Sequence, residues 1–353
     1  MTAHTRTRHQ HGRRGSTLPL TIVVVASISL LATALLHSAW RSARSADSAR
    51  RAQQVVRALD EAAVQAIAAY AQDSLTRHDL AQRVWRPDAQ VEAIRVRTAW
   101  QRTHPLVAWL ELDAQPAGTS GAPRTLAARR TERRAFWLSP PAVPRESPLT
   151  ALAMVEGEDG AIISANAPLG TAWCPGPYVQ PTVPPIVAAD VSPTSGSLWS
   201  TAPAWRGITP AQREAVENGW TDVLARLPAH ATIDTVQSPI SDPGWRARRF
   251  DVPTLTLRGP LRWQGLLVVN GNLLIEGPVE LRGLLLVRRS LDARAGQLTV
   301  HGAVMANDAA TDVVRLGPST RLQFDPCAVD LALATVARPR AAVFGIRTPG
   351  RGW

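Results

Sequence analysis

Apolar and polar positions follow three different rules along this chain. From Leu18 to Leu36 nineteen residues pass without a charge, close to the roughly 20 that span a bilayer as a helix. Ala52, Val56, Leu59, Ala63, Ala66 and Tyr70 then step by four and three, which lines one face of a helix. Arg50, Gln54, Arg57, Asp60, Glu61 and Gln65 occupy the other faces. Glycine and proline are absent from Leu20 to Trp85, and Pro87 follows. The pattern predicts a membrane-spanning and then amphipathic helix within residues 16–86, with a break near Thr76–His78.

The third rule governs the other end. Gly259, Gly265, Gly271, Gly277 and Gly283 recur every six residues, and after a slip the series resumes at Gly296 and Gly302. A larger unit of eighteen residues aligns Gly259-Pro260-Leu261 with Gly277-Pro278-Val279, and Gly265-Leu266-Leu267 with Gly283-Leu284-Leu285. Apolar residues alternate before the second glycine of each unit, as in strands with one buried face. The fold class expected is α+β, mainly β, with a short β-solenoid over residues 251–330. It has about three coils and a ragged fourth near Gly317-Pro318. Leu261, Val279 and Leu298 should then form one buried column and Leu267, Leu285 and Val304 another, with Arg262, Glu280 and Thr299 facing outward. A meander of glycine-rich hairpins is the alternative. Residues 331–353 read as a tail.

Residues 87–250 read as a mixed α/β head domain with proline-rich loops. Val91–Val96, Leu106–Leu112 and Ala135–Leu138 suggest strands. Ala151–Val155 and Ala161–Ala165 could pair across Gly157-Glu158-Asp159-Gly160. The passage from Pro175 to Pro203 reads as loop. Thr209-Pro210-Ala211-Gln212 is a capping-box helix start. Val216, Trp220, Val223, Leu224 and Leu227 supply the buried face of that helix, mildly weakened by Gly219.

Composition changes this picture little. The 353 residues carry a net charge of +11, but Arg6, Arg8, Arg13 and Arg14 precede the apolar run, leaving 11 − 4 = +7 for the rest. Every basic charge is arginine. Arg129, Arg130, Arg133 and Arg134 cluster beside Ala135-Phe136-Trp137, as a solvated loop or a contact for anionic polymer. No nucleic-acid motif accompanies them, so no specific nucleic-acid partner is expected. Twelve tryptophans serve core packing or sugar stacking. With arginine on the short N-terminal side, the rest of the chain faces outward, where disulfides persist. Cys174 and Cys327 both lie among turn residues and could bridge; two free thiols are the alternative.

Catalytic constellations are poor. His78, His104, His230 and His301 are scattered and embedded in no nucleophile motif. His301 should face outward from its strand. A hexapeptide acyltransferase needs aliphatic residues before its small ones, and here Arg258, Gln264, Asn270, Glu276 and Arg282 stand there. Asp251, Glu276, Glu280 and Asp292 do not repeat in register as a hydrolase pair would. No catalytic residue, cofactor or metal site is expected.

Arg13-Arg14-Gly15 before Ser16, followed by a long apolar helix that turns amphipathic, resembles a type IV prepilin leader. The resemblance covers residues 1 to about 75. It implies a leader over 1–15 that a prepilin peptidase cuts after Gly15, leaving Ser16 as the methylated N-terminus. It places Leu18, Leu20, Ile22, Val24, Leu30 and Leu36 in the inner membrane, and assigns Val56, Leu59, Ala63 and Tyr70 to helix packing. One departure stands out. The fifth mature residue, usually a glutamate that pairs with a neighbouring subunit's terminus, is Leu20. PilX-type minor pilins and some tip pseudopilins also lack that acid. The function implied is a non-enzymatic subunit of a type IV pilus or type II secretion-like filament, acting in assembly, initiation or at the tip. Its partners would be other pilins or pseudopilins. An uncleaved anchor, or a secretory signal cut after Ala32-Thr33-Ala34, remain open. So does a membrane-anchored β-helical surface enzyme or carbohydrate-binding protein.

Overall fold

A computed structural model describes residues 17–70, 83–92, 94–117, 130–165, 184, 186–193, 205–228, 234–236, 240–241, 244–306 and 311–348. Within these the protein is mainly β, with one long N-terminal helix and a curled parallel sheet.

Helix α1 runs from Thr17 to Tyr70 without interruption. By contact it belongs to two units, residues 1–57 and 58–353. The expected break at Thr76–His78 lies outside the described residues, and the expected helix to residue 86 is corrected at its end. There β1 (Arg83–Trp85) is a strand, followed by β2 (Ala89–Val91), β3 (Ile94–His104), β4 (Val107–Pro116) and β5 (Arg130–Ser139). These form an antiparallel sheet. Val91–Val96 is therefore not one strand: Glu92, at φ 53°, turns the chain between β2 and β3. The arginine cluster is not a loop either, since Arg130, Arg133 and Arg134 lie within β5; Arg129 is outside the described residues.

The parallel sheet begins with β6 (Leu149–Gly157), β7 (Ile162–Ser164), β8 (Ile186–Pro193) and β9 (Trp205–Gly207). Helix α2 (Pro210–Arg226) follows, then β10 (Thr235–Val236), β11 (Ile240–Ser241) and β12 (Arg246–Phe250). Next come β13 (Thr254–Leu257), β14 (Leu261–Val269), β15 (Asn272–Ile275), β16 (Pro278–Val287), β17 (Leu291–Asp292) and β18 (Gln297–Ala306). The last members are β19 (Val313–Leu316) and β20 (Thr320–Phe324), before helix α3 (Pro326–Ala334) and β21 (Arg338–Thr348).

The eighteen-residue unit sets the register. Leu261 pairs with Val279 and Val279 with Leu298; Leu267 pairs with Leu285 and Leu285 with Val304. All six are buried, while Arg262 is exposed and Glu280 and Thr299 are half-exposed. Polar side chains bridge successive units on the outside. Arg258 Nε donates to Glu276 at 2.7 Å, and Arg288 Nη1 to Asn270 Oδ1 at 3.0 Å. Gly265, Gly283 and Gly302 align in one column at φ +122°, +133° and +146°. A Cβ on Gly302 would stand 1.8 Å from the Gly283 carbonyl oxygen, so only glycine lets the strands approach here.

The bounds of this sheet differ from 251–330. On one side of the curl it orders as β10, β13, β15, β17, β19, β6, and on the other β11 and β12 pair with β14, then β16 and β18 follow. Strand β18 pairs with β20 through Gly302 and with Leu149–Ala151 of β6 beyond it. Strands β6, β7, β8 and β9 thus extend the stack past the last C-terminal unit. Strands β6 and β7 do not pair with each other, as the sequence suggested; each takes a parallel partner, β19 and β20 respectively. Strand β8, which pairs with β6, lies inside the proline-rich passage read as loop.

Two cores explain the runs such as Leu266-Leu267-Val268-Val269. Leu267, Val269, Leu285 and Val287 point into the curl with Leu255, Leu273 and Leu291. Leu266, Val268, Leu284 and Leu286 point outward and are covered by Val216, Trp220 and Val223 of α2 and by Leu331 and Ala332 of α3. Strands buried on both faces read as continuous apolar runs. The α2 cap is the expected box: Thr209 Oγ1 accepts from the Gln212 N–H at 3.2 Å, and Gln212 Oε1 from the Thr209 N–H at 3.0 Å. Gly219 is a fitted contact more than a weakness, because a Cβ there would meet the Ala142 carbonyl oxygen at 2.9 Å. The expected tail is also corrected: α3 ends at Ala334, and β21 returns to pair antiparallel with β5.

Candidate functional site

Ile22, Val24, Leu30 and Leu36 stand exposed on α1, between 48% and 72% of their surface open. The best eighteen-residue window has a mean hydropathy of 2.1, and the helix is long and apolar enough to cross a membrane. Two of its hydroxyls are satisfied within the helix. Ser27 Oγ donates to the Val23 carbonyl at 2.8 Å and Thr33 Oγ1 to that of Ser29 at 2.6 Å, which removes the cost of carrying them into an apolar medium. Below the apolar run the Arg44 guanidinium lies 3.4 Å from the centre of the Trp40 ring. The first turn holds no acid; Leu18 and Leu20 lie in it or just beyond, and Gly15 and Ser16 are outside the described residues.

The far end of the helix is built differently. Leu59, Ala63, Ala66 and Tyr70 are buried as the spacing predicts, Val56 is half-buried, and Ala52 is exposed instead. Ala58 and Ala62 widen the stripe. Within the 58–353 unit, the Tyr70 ring meets Trp100 of β3 edge-on at 5.0 Å, and Trp100 meets Phe136 of β5 at 5.5 Å. Asp60 pairs with Arg134 of β5, whose Nε also donates to Glu132 at 2.9 Å. Burial works against the Arg134 charge, yet the hydrogen bonds to Glu132 and Asp60 raise its pKa. Burial also pushes the Tyr70 phenol, well beyond the apolar run, up to about 12, against a smaller pull from Arg102.

The opposite face of the antiparallel sheet carries a feature the sequence did not resolve. Outward positions run in rows across the strands: Arg83, Gln101, Trp109 and Ala135 in one, Trp85, Ala99, Glu111 and Arg133 in the next. Small Ala99 leaves a shallow groove between the larger side chains around it. Glu111 at its centre pairs with both Arg83 and Arg133. Trp109 Nε1 donates to Thr103 Oγ1 at 3.2 Å, which fixes the indole. Trp85 lies under Arg83 and Arg97, at 4.8 and 4.7 Å. Period-two alternation was the available signal, but it needed the strand ends and register that only pairing supplies.

The carboxylates weighed for hydrolysis are each engaged by arginine: Asp251 with Arg249 at 2.7 Å, Glu276 with Arg258 at 2.7 Å, Glu280 with Arg262 at 3.4 Å, and Asp292 with Arg294 at 2.6 Å. The Arg294 hydrogen bond holds the Asp292 carboxyl below its ordinary pKa. His301 is half-buried, not simply outward, with Nδ1 3.1 Å from Gln323 Oε1. Cys327 is buried in the first turn of α3, not in a loop, and no described cysteine is free. Cys174, His78 and His230 lie outside the described residues. Among the described residues no cluster of His, Cys, Asp or Glu could hold a metal ion. No family model, curated protein or solved structure matches the chain.

Proposed function

We propose that this chain is a non-enzymatic minor pilin or pseudopilin-like subunit of a type IV pilus or type II secretion-like filament. One observation carries the reading: a single helix whose apolar first half is exposed while its far end is buried on an antiparallel sheet. A soluble domain has no use for so much exposed leucine and valine. A removable secretory signal would not continue into a helix whose residues pack in the fold. The helix sits in the bacterial inner membrane after processing by prepilin peptidase, then packs against other pilin helices as the filament grows. The remainder forms a periplasmic or extracellular head.

Leu20 shapes the role. Without an acid at the fifth mature position, the subunit offers no charge partner to a neighbouring N-terminus, which suits few copies at a tip or initiation complex. The curled parallel sheet is read as a short β-solenoid, a stiff spacer closed by α2 and α3. A bridge between Cys174 and Cys327 would tie this stack to the segment before β8. To test assembly, a photo-reactive residue replaces Val24 or Leu30 in a filament-producing host. Cross-links to other pilin-type subunits are expected; cross-links to lipid alone contradict the proposal. The Trp and Arg groove favours a second reading, a membrane-anchored carbohydrate-binding protein, in which the same helix is an anchor only.

A further inference from the structure

We propose that the outward face of the antiparallel sheet binds an acidic polysaccharide strand, with Trp109 as its stacking platform. Sugar rings present flat C–H faces that pack on indoles, while their hydroxyls need donors and acceptors around the ring. The groove supplies both within one short span. The Thr103 hydroxyl holds the Trp109 indole by a hydrogen bond, so less rotamer freedom is lost when a ring settles on it. Gln101, Thr103 and Glu111 line the same depression, offering amide, hydroxyl and carboxylate groups to sugar hydroxyls. Trp137, exposed over 51% of its surface, extends the aromatic surface onto β5, where it pairs with Val107 two residues before Trp109.

Charge selects the class of glycan. Arg83, Arg95, Arg97 and Arg133 share this face with Asp88, Glu111 and the buried Asp113, which stands opposite Arg97. The excess is cationic, and arginine matches a carboxylate in a two-pronged geometry. A phosphodiester chain fits less well, because a DNA backbone offers few hydroxyls to Gln101, Thr103 and Glu111. The cation–π contacts of Arg83 and Arg97 with Trp85 hold those guanidinium groups at the rim. The occupant is therefore a carboxylate-bearing glycan and not a nucleic acid. This inference does not depend on the filament reading.

The test uses the full chain in detergent micelles and three immobilised probes: alginate as a polyuronate, dextran as a neutral glycan, and duplex DNA. Binding to alginate is expected, with weaker binding to dextran and to DNA at matched salt. Trp109→Ala should weaken alginate binding about tenfold or more, the scale of an aromatic anchor in a contact surface, and Trp109→Phe should recover part of it. Arg133→Gln should weaken alginate more than dextran. If Trp109→Ala lowers the melting temperature, Trp137→Ala at the exposed rim serves instead, with a several-fold loss expected. The proposal is overturned by no alginate binding, by equal binding of dextran, by tighter binding of DNA, or by binding that the tryptophan variants leave unchanged.

Discussion

Gly283 sits beside Gly265 in the neighbouring parallel strand, and a Cβ added to it would stand 2.2 Å from the Gly265 carbonyl oxygen. The strand must also hold φ +133° there, which side chains resist. Gly283→Ala is therefore expected to cost several kcal/mol, as backbone strain and steric conflict at one site do. Gly207→Ala is its control, since a Cβ there meets nothing within 4 Å. Denaturant unfolding of the full chain in micelles should separate the two; equal midpoints would show that the column is not closely packed.

Leu285 lies between Leu267 and Val304 with 1% of its surface open. Leu285→Asp places an unpaired charge between parallel strands, a cost of several kcal/mol, and should abolish stable folding. Glu280→Lys loses exposed pairs with Arg262 at 3.4 Å and Arg282 at 3.5 Å, worth no more than about 1 kcal/mol. Soluble yield and melting temperature check the contrast.

How much of this was legible depended on range. The glycine column, the alternation around Leu261 and Trp263, and the Thr209 capping box are local, and the structure keeps all three. The helix stripe through Leu59, Ala63 and Tyr70 was legible too, because the 3.6-residue period needs no partner to be read. The pairing of Leu149 with Val304 was not, since nothing in a short apolar strand names a partner over a hundred residues away. The return of Arg338 and Pro339 to β5 escaped for the same reason. The groove around Trp109 needed Arg83, Gln101 and Arg133 from three other strands.

Tyr70 gives a pH prediction. Its phenol is raised from 10.0 to about 12 by burial, so the folded state favours the neutral form. That contribution is complete below pH 10 and is lost as pH rises from about 10 to about 12, at most about 2.7 kcal/mol for two pKa units. Tyr70→Phe should flatten stability across this window. At neutral pH it should change stability by no more than about 1 kcal/mol, because the buried hydroxyl has no hydrogen-bond partner among the described residues. Urea unfolding from pH 8 to 11.5 checks both statements; a steeper loss in the variant would contradict them.

A bridge between Cys174 and Cys327 is expected in protein exported to an oxidising compartment. Non-reducing peptide mass spectrometry should recover the linked pair. Cys327→Ser should then lower stability by about 2–5 kcal/mol, as loss of a long-loop disulfide does. Two alkylatable thiols in the exported protein would contradict the bridge.

The central claim is that α1 is a processed pilin-type helix, and N-terminal sequencing tests it most directly. The full chain is expressed in a host with and without prepilin peptidase, and its first residue is determined. The account predicts an N-methylated Ser16 only when the peptidase is present, with Gly15→Asp blocking the cut. A chain that keeps Met1 in the presence of the peptidase, or one that begins at Leu35, would contradict it.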